Sequence, residues 1–464
     1  MVSLTPPEDS TGAPAADVLP AAGLRPGDGF EARVERVAYG GDGVARPDGL
    51  TVFLPWTAPG DRVRATVTER HPRYGRARLD AVVTPGPDRA VPGCPVFGVC
   101  GGCRLQHLTA EAQRAAKAGA VTDALERIAA RTLPAALHCE SGAPAWHYRQ
   151  RAVFSWRWDG AALQFGFHAA ADPAAIVPIL ACPIFAVAGN DSLDALTRGL
   201  EVGLRRERVA HEGRLAVRVL PAGSGGDDTV VVQAGVFADA VGLARRLAGT
   251  CAEAAAIPAT WGRWTPQGGP LTLATDAPRL AVRIPYRGLT LRVGLDSFLQ
   301  ADLGAAEHLY DAALDGLAAQ PGERVVDGYA GVGVVTCQLA AGGVQVTAVE
   351  SHPGAASDLR ANGAAVGGAA VHVLQLPAER MDWAAPRPHA VLVNPPRGGC
   401  PPQALTSITR SSARRLVYVA CDPTTLARDL QRLGPSWQLE GVRVFDCFPQ
   451  TAHVETVAVL RRPS

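Results

Sequence analysis

The chain has 464 residues and a mass of 48.3 kDa, which at roughly 150 residues per domain suggests about three domains. Hydrophobic residues make up 47% and charged residues 19%, which excludes a chain that is disordered throughout. The 45 Lys and Arg residues nearly balance the 44 Asp and Glu. The resulting net charge of +1 excludes a uniformly basic nucleic-acid-binding protein, though not one basic face.

The basic residues are almost all arginine, since Lys117 is the only lysine in the chain. Together with the abundance of Ala, Gly and Pro, this bias indicates a GC-rich genome. No apolar run approaches the roughly 20 residues that span a bilayer, and residues 1–22 lack the pattern of a secretory signal. We therefore expect a soluble, cytoplasmic protein without membrane association, in which the ten cysteines are mainly thiols, metal ligands or catalytic groups. We also expect the protein to be monomeric.

In chain order, residues 1–22 are predicted to be a disordered segment rich in Pro, Ala and acidic residues. Residues 23–84 contain short alternating strands separated by Gly and Pro, which predict a small OB-like β-barrel. Residues 85–290 mix strand and helix patterns around a cysteine-rich loop and predict an α+β central domain. Residues 291–464 alternate strand and helix, which predicts an α/β domain with a doubly wound, Rossmann-like parallel sheet.

A glycine-rich turn gives the α/β domain its first candidate site. The short apolar strand that ends at Asp327 runs into Gly328-Tyr-Ala-Gly-Val-Gly333 and then a helix, and the next strand ends at Glu350. Ligands of doubly wound sheets lie at these strand ends, where an acid suits the hydroxyls of a ribose. The glycines lack the dinucleotide spacing, so a mononucleoside ligand such as S-adenosylmethionine fits better.

Two further strands end in polar loops at the same edge. One ends at Asn394-Pro-Pro-Arg397, and the other ends at Cys421, directly before Asp422-Pro423. Inert burial is the alternative for such a cysteine. However, the following residues break the strand and begin a helix, whose positive N-terminus is expected to lower the pKa of the Cys421 thiol. Near the C-terminus, Glu455 begins the final strand, with a solvated edge residue as the alternative.

A second candidate site is a cluster of cysteines. Cys94, Cys100 and Cys103 lie in a glycine-rich loop, and Cys182, followed by Pro, supplies a distant fourth thiol. Zinc sites tend to have paired knuckles, whereas this spacing suits a cubane iron–sulfur cluster held by four thiolates. The other cysteines outside this cluster and Cys421 have no such spacing and are taken as ordinary thiols: Cys139, Cys251, Cys337, Cys400 and Cys447.

These motifs together resemble the RNA 5-methyluridine methyltransferase family. The resemblance covers residues 290–464 through five motifs in order, which begin at Phe298, Asp327, Asn394, Val419 and Asp446. The upstream regions are similar to the family's TRAM barrel and to its [4Fe-4S] site, with Cys94, Cys100, Cys103 and Cys182 as ligands. The resemblance implies methylation of uridine carbon 5 in RNA with S-adenosylmethionine as the donor. It also implies 23S rRNA as the preferred substrate, with tRNA as the alternative.

The chemistry of this reaction explains the residue types. Carbon 5 of uracil is a weak nucleophile until a thiolate adds to carbon 6, which is covalent catalysis, and Cys421 is the candidate for that thiolate. A base must then remove the carbon 5 proton, and the resemblance assigns this role to Glu455. The resemblance also assigns Gln300, Tyr329, Glu350 and Asn394 to the cofactor pocket. Arg397 is expected to stabilise the enolate or hold a phosphate, with a surface ion pair as the alternative.

Asn394 departs from the family, which usually has Asp before Pro-Pro-Arg. The amide keeps an acceptor oxygen but loses the charge. Asn-Pro-Pro also resembles the loop of adenine N6-methyltransferases, although those enzymes need neither Cys421 nor Glu455. A non-catalytic RNA-binding or assembly factor with the same fold is a further alternative, against which an intact Cys421 and Glu455 argue.

Two basic segments are candidates for RNA contact. The barrel carries a stretch with few interleaved acids, in which Tyr74 is available to stack on a base: Arg62, Arg64, Arg70, His71, Arg73, Tyr74, Arg76 and Arg78. The second, shorter segment runs from His147 to Arg151. Because carbon 5 is inaccessible in a stacked helix, the target uridine is expected to be flipped out, with Phe298 packing on it or, alternatively, lying in the core.

Overall fold

The structure is a computed structural model and describes residues 23–133, 135–221, 230–265 and 271–463. The predicted disordered segment 1–22 lies outside the described residues. The described chain forms two compact units, one comprising residues 23–91 and 107–112 and the other comprising 92–106 and the remainder from 113 onwards. Among the described residues, no helix combines the length and the apolar composition needed to cross a membrane.

The first unit contains a closed five-stranded barrel in the order β1-β2-β3-β5-β4. Buried positions alternate along β3, β4 and the start of β5, and apolar side chains around Phe30 fill the barrel, as the sequence pattern predicted. The strands are β1 (Gly29–Val37), β2 (Gly43–Ala45), β3 (Thr51–Leu54), β4 (Arg62–Arg70) and β5 (Tyr74–Thr84).

The second unit contains two large sheets. The central sheet has seven strands in the order β13-β12-β11-β10-β7-β8-β9, with helices α2 and α3 packed in its core. These elements are β7 (Arg151–Trp158), β8 (Leu163–His168), β9 (Ile176–Pro178), α2 (Val187–Leu204), β10 (His211–Pro221), β11 (Val230–Ala238), α3 (Val241–Ala255), β12 (Ala259–Arg263) and β13 (Thr272–Leu273).

The other large sheet has eight strands in the order β18-β17-β16-β19-β20-β22-β21-β6, of which β18 to β20 run parallel. This is the predicted doubly wound α/β sheet. Its elements are β6 (Cys139–Ser141), α4 (Leu303–Leu317), β16 (Arg324–Gly328), α5 (Val334–Ala341), β17 (Gln345–Val349), α6 (Pro353–Ala365), β18 (Val371–Leu374), β19 (Ala390–Val393), α7 (Pro402–Arg410), β20 (Arg415–Ala420), α8 (Pro423–Leu433), β21 (Gln438–Asp446) and β22 (Glu455–Arg461).

Upstream segments contribute to this second sheet. Strand β6 pairs parallel with β21, and helix α1 (Ala110–Arg127) packs its apolar side chains into the core of the same sheet. A separate hairpin of β14 (Ala281–Tyr286) and β15 (Leu289–Gly294) also packs there. The expected division between residues 290 and 291 thus falls inside β15.

The order of the parallel strands sets where a ligand can lie. The chain goes outward from β16 through β17 to β18, and then returns to place β19 on the other side of β16. At such a reversal the two neighbouring loops diverge and leave a crevice at the carboxyl ends of the strands. The glycine-rich turn follows β16, and Asn394 follows β19, so both border this crevice.

Candidate active site

A cavity of about 880 Å³ in the second unit brings together the candidate catalytic, cofactor-binding and cysteine-cluster residues. Its wall includes both the cysteine loop and the carboxyl ends of β16, β19 and β20. The candidate residues that line it are Cys94, Cys100, Cys103, Cys182, Gln300, Tyr329, Glu350, Asn394, Cys421 and Glu455. Groups separated by more than 300 residues in sequence therefore share one cavity.

Glu350 forms a hydrogen bond with the glycine-rich turn. One carboxylate oxygen of Glu350 accepts a hydrogen bond from the Gly331 N–H at 2.9 Å, and the other accepts one from the His352 N–H at 2.7 Å. Tyr329 has φ of +62°, a conformation that non-glycine residues rarely adopt. Each Glu350 oxygen retains a second lone pair, so the carboxylate can still accept hydrogen bonds from a ribose.

Three buried side-chain oxygens along the cavity lack a hydrogen-bond partner. They are Oε1 of Gln300, the hydroxyl of Tyr329 and Oε2 of Glu455. The Cys400 thiol lies close to the Tyr329 hydroxyl and offers it only a weak interaction. Unpaired buried polar atoms cost free energy, so three of them around one cavity indicate a site prepared for a polar ligand.

Cys421 follows strand β20 directly and precedes helix α8. The next residue, Asp422, caps that helix by accepting hydrogen bonds from the N–H groups of Thr424 and Thr425, each at 2.9 Å. The expectation that the helix N-terminus lowers the thiol pKa was wrong. Burial, with the nearby carboxylates of Glu455 and Asp422, raises the pKa of Cys421 to about 11, against an opposing contribution from Arg397.

Glu455 begins strand β22 and is 3% exposed, so the alternative of a solvated edge residue is wrong. Burial raises the pKa of this carboxyl to about 8, although the positive charge of Arg397 opposes the shift. Because Glu455 also raises the pKa of Cys421, the two groups lie within electrostatic range of each other. The cavity therefore holds a thiol and a carboxyl that are both mainly protonated near neutral pH.

Arg397 and His453 both line the cavity and are in direct contact. Its guanidinium donates a hydrogen bond to Nε2 of His453 at 2.8 Å. Burial and the adjacent Arg397 charge lower the pKa of His453 to about 4, so this imidazole is neutral at physiological pH. A surface ion pair, the alternative given for Arg397, is not formed with any described residue, and its charge acts on Cys421 and Glu455.

Phe298 is 59% exposed and lines the cavity. The alternative of a core aromatic is therefore wrong. An exposed aromatic ring at the entrance to a polar cavity can stack on a planar base. Arg149 and Arg151, from the short basic segment, line the same cavity.

The four clustered thiols lie close enough for their charges to interact. Burial and the neighbouring thiols raise the pKa of Cys103 to about 12, and Cys100 and Cys182 are shifted in the same direction. Backbone N–H groups donate to two of the sulfurs, from Gly102 to Cys100 and from Ile184 and Phe185 to Cys182. In the part of the chain that the structure describes, no three His, Cys, Asp or Glu side chains are arranged to hold a single metal ion. Cys94, Cys100, Cys103 and Cys182 all line the cavity.

The arginines of the barrel are less free than the sequence suggested. Carboxylates pair with several of them: Glu31 of β1 with Arg62 and Arg64 of β4, Asp42 and Glu69 with Arg76, and Asp80, two residues further along β5, with Arg78. Sequence order hid Glu31 and Asp42, which come 31 to 34 residues before the arginines they pair with. Tyr74 stacks on His71 with ring centroids 4.5 Å apart.

Sequence reasoning missed the residues that hold the loop before Glu455. Lys117 and Gln113 of helix α1 bind this loop, and so does the hydroxyl of Tyr148. The available signal was that Lys117 is the only lysine of the chain. A single lysine in an arginine-rich protein indicates a position where the larger, planar guanidinium group of arginine cannot replace the ammonium group.

Two protein families match parts of the chain. The family described as tRNA (Uracil-5-)-methyltransferase matches residues 387–463, and the TRAM domain family matches residues 24–79. The second match confirms that the small barrel is a TRAM domain.

Relatives of similar length match nearly the whole chain. The 23S rRNA (uracil(1939)-C(5))-methyltransferase RlmD of Methylococcus capsulatus is 32% identical over 457 residues, covering 94% of this chain and 98% of that protein. The protein of the same name in Pseudomonas putida is 33% identical over 433 residues, covering 92% of each chain. A solved structure, Pyrococcus abyssi tRNA (uracil-54, C5)-methyltransferase in complex with S-adenosyl-L-homocysteine, is 21% identical with a TM-score of 0.67. It covers 93% of this chain and 100% of that one, so the two share a fold.

The family match at the C-terminus, the TRAM domain and the identity with these relatives agree with the resemblance found in the sequence. The chain therefore belongs to the family of RNA uracil-C5-methyltransferases.

Proposed function

We propose that this enzyme methylates carbon 5 of a uridine in 23S rRNA through a covalent bond between Cys421 and carbon 6. The observation that carries the proposal is the shared cavity, which Cys421, Glu455 and residues of the glycine-rich turn all line. Two relatives named as 23S rRNA enzymes support the choice of RNA. We further propose that the enzyme acts as a monomer in the cytoplasm.

Cys421 is the proposed nucleophile. The thiolate adds to carbon 6 of the uracil ring, and the electron pair of the 5,6 double bond moves towards the carbonyl at carbon 4 and makes carbon 5 nucleophilic. The positive charge of Arg397 opposes the rise in pKa of both the Cys421 thiol and the Glu455 carboxyl. The guanidinium thus favours the thiolate at the start of the reaction and the enolate that follows.

Glu455 is the proposed base. After carbon 5 has gained a methyl group, its proton must leave so that the electron pair re-forms the double bond and expels the Cys421 thiolate. The unpaired Oε2 of Glu455 has a free acceptor position for that proton. Its pKa of about 8 lies near working pH, which suits a group that takes and releases a proton in each cycle.

Gln300, Tyr329, Glu350 and Asn394 are proposed to hold S-adenosylmethionine, which supplies the methyl group when bound. The unpaired atoms of Gln300 and Tyr329 and the free lone pairs of Glu350 fit a polar nucleoside ligand. The Asn394 amide can serve where the usual carboxylate only accepts a hydrogen bond.

We propose a [4Fe-4S] cluster on Cys94, Cys100, Cys103 and Cys182, whose role is to order the RNA-binding region. Anaerobically purified protein is expected to contain about four irons and four acid-labile sulfides per chain, as a cubane cluster requires. Substituting Cys103 with Ser should remove most of both. A zinc ion without sulfide in the wild-type protein would contradict the cluster.

The substrate is tested with tritiated S-adenosylmethionine and two RNAs, a 23S rRNA fragment and a tRNA transcript. Nucleoside analysis should find 5-methyluridine in the rRNA fragment after reaction with the wild-type enzyme and none after reaction with Cys421→Ala. The control is Cys251→Ala, which removes a buried thiol of helix α3 and should retain the wild-type activity. Methylation of the tRNA alone would favour the alternative substrate. N6-methyladenosine would favour the adenine enzymes, and full activity of Cys421→Ala would exclude the proposed nucleophile.

A further inference from the structure

Lys117 makes a buried contact that links helix α1 to the loop before Glu455. Its ammonium group is 2% exposed and donates hydrogen bonds to Oδ1 of Asp446 at 2.5 Å and to the carbonyl of Phe448 at 3.0 Å. Asp446 ends strand β21, and Phe448 lies in the β21–β22 loop (447–454), which leads directly into Glu455. The only lysine of the chain thus lies at the start of the segment that carries the proposed base.

The same loop is held at several further points. Oε1 of Gln113, four residues before Lys117 on helix α1, accepts from the Gln450 N–H at 2.8 Å. The carbonyl of Gln450 accepts from the N–H groups of Arg104 and Leu105, and the carbonyl of Pro449 accepts from the Tyr148 hydroxyl. These contacts fix the backbone of 448–450 but not the turn after it.

The Phe448 carbonyl transmits the position of Lys117 towards the base. This oxygen also accepts hydrogen bonds from the N–H and the hydroxyl of Thr451, and the same hydroxyl accepts one from the His453 N–H at 3.3 Å. Phe448, His453 and Glu455 all line the cavity. A shift of the Phe448 carbonyl would therefore move His453 and the start of strand β22.

The site favours lysine over arginine. A compact ammonium group can donate to a carboxylate and to a carbonyl in a space that is almost closed, whereas the planar guanidinium is larger and presents its donors in a fixed fork. Every other Lys or Arg position of the chain is arginine, so composition alone would predict arginine at position 117.

We propose that Lys117 is a positioning residue for the base: it holds the β21–β22 loop so that Glu455 reaches the proton on carbon 5. This inference rests on the proposed function. A misplacement of about 1 Å can cost roughly a hundredfold in rate, so a buried contact behind the base can control turnover without touching the substrate. The effect belongs to proton removal and not to the earlier bond between Cys421 and carbon 6.

The test uses Lys117→Met and Lys117→Arg in the full-length enzyme with its RNA substrate. For both variants, kcat is expected to fall roughly 10- to 100-fold, with the KM for RNA unchanged within about threefold. The rate of covalent complex formation between Cys421 and RNA that contains 5-fluorouridine should stay within about threefold of the wild-type rate, because that step needs no base. On ordinary RNA the methylated covalent complex should accumulate, seen as tritium in a protein–RNA band on a denaturing gel.

Two controls separate positioning from charge balance. Lys117→Met/Asp446→Asn leaves no uncompensated buried charge, so its melting temperature should recover while kcat stays low. Arg415→Met breaks a half-buried ion pair with Glu323 at the start of β20 and should not cause the complex to accumulate. Recovery of kcat in the double variant, or equal slowing of turnover and of 5-fluorouridine bonding, would overturn the proposal.

Failure of the proposed function is distinguishable from failure of this inference. If the wild-type enzyme forms no covalent complex with ordinary RNA or with RNA that contains 5-fluorouridine, the proposed chemistry is wrong, independently of the role of Lys117. Hydrogen exchange then tests the positioning itself. The amides of 448–454 should exchange faster in Lys117→Met while those of 415–420 do not change, and unchanged exchange at 448–454 would exclude the role.

Discussion

At the scale of single residues, burial determines the charges of the two proposed reacting groups. The pKa of about 8 for Glu455 means that its carboxylate becomes abundant only above neutral pH. We therefore expect kcat to rise from pH 6.5 to pH 9, because both the base and the nucleophile act in their deprotonated forms. The measurement is the initial rate of tritium transfer across this range.

Glu455→Gln supplies the control for that profile. Turnover should fall by about 10² to 10⁴, the usual contribution of a general base, while the methylated complex accumulates. A variant that turns over normally, or a wild-type rate that falls between pH 6.5 and 8, would contradict the assignment.

The raised pKa of Glu455 also predicts how stability depends on pH. A carboxyl whose folded pKa lies above the unfolded value of 4.5 stabilises the fold fully below pH 4.5, and this contribution is lost as pH rises through about 8. The free energy of unfolding of Glu455→Gln, relative to wild type, should therefore increase by roughly 2–4 kcal/mol between pH 4.5 and pH 8.5. Urea unfolding at both pH values measures it, and a constant difference would show that the carboxyl is not buried as described.

At the scale of elements, the cap of helix α8 decides the environment of Cys421. The Asp422 carboxylate satisfies the N–H groups that would otherwise stabilise a thiolate, and its own charge raises the thiol pKa. Asp422→Asn keeps a capping oxygen and removes the charge, so the pKa of Cys421 should fall. Cys421 of the folded variant should therefore be alkylated a few-fold faster than in the wild type at pH 8, because a nearby negative charge slows formation of the thiolate. The rate is measured by mass spectrometry of the tryptic peptide Leu416–Arg428 after digestion.

Asp422→Ala is the matched comparison. It removes both cap and charge, and should cost about 1 kcal/mol of stability in addition to lowering the pKa. Slower alkylation of Cys421 in the Asn variant would contradict this account.

The barrel strands make a separate prediction. Glu31 pairs with Arg62 and Arg64, so these arginines must exchange a carboxylate for a phosphate if the barrel binds RNA. Glu31→Gln should therefore tighten RNA binding about two- to fivefold at low salt and steepen its salt dependence. Asp194→Asn, which breaks an exposed pair with Arg198 on helix α2, is the control. Equal effects of the two substitutions would show that the barrel arginines play no particular part.

At the scale of the whole molecule, the cysteine loop and the loop before Glu455 share a backbone contact. The Arg104 and Leu105 N–H groups, just beyond Cys103, donate to the Gln450 carbonyl. If a cluster orders the cysteine loop, removing it with an oxidant and a chelator should lower the melting temperature and speed hydrogen exchange at 448–451. Exchange that does not change would show that the two loops are independent.

Much of this architecture could be predicted from local sequence patterns. The alternating strands of the barrel and the apolar strands β16, β19 and β20 follow from periodicity, and the loops after them from Gly and Pro. The long-range additions could not be predicted in this way, because β6 has only three residues and its partner β21 lies about 300 positions away. Glu31 and Asp42, which pair with barrel arginines more than 30 positions later, were hidden for the same reason.

The sequence predicted which residues line the candidate site better than it predicted their pKa values. Strand ends and family motifs led to the residues that share the cavity. The pKa of Cys421 was predicted in the wrong direction because a helix N-terminus is visible in sequence, whereas burial and the proximity of Glu455 are not. Asn394 shows the limit of motif reasoning, since its amide stands where the family usually has a carboxylate.

The most direct test of the central claim is mass spectrometry of the enzyme after reaction with RNA that carries 5-fluorouridine at the target position. Fluorine at carbon 5 cannot leave as a proton, so the bond to carbon 6 should persist. The account predicts that the tryptic peptide Leu416–Arg428, in which Cys421 is the only thiol, carries the methylated nucleotide. Tight binding of this RNA and of S-adenosylmethionine with that peptide unmodified would contradict it.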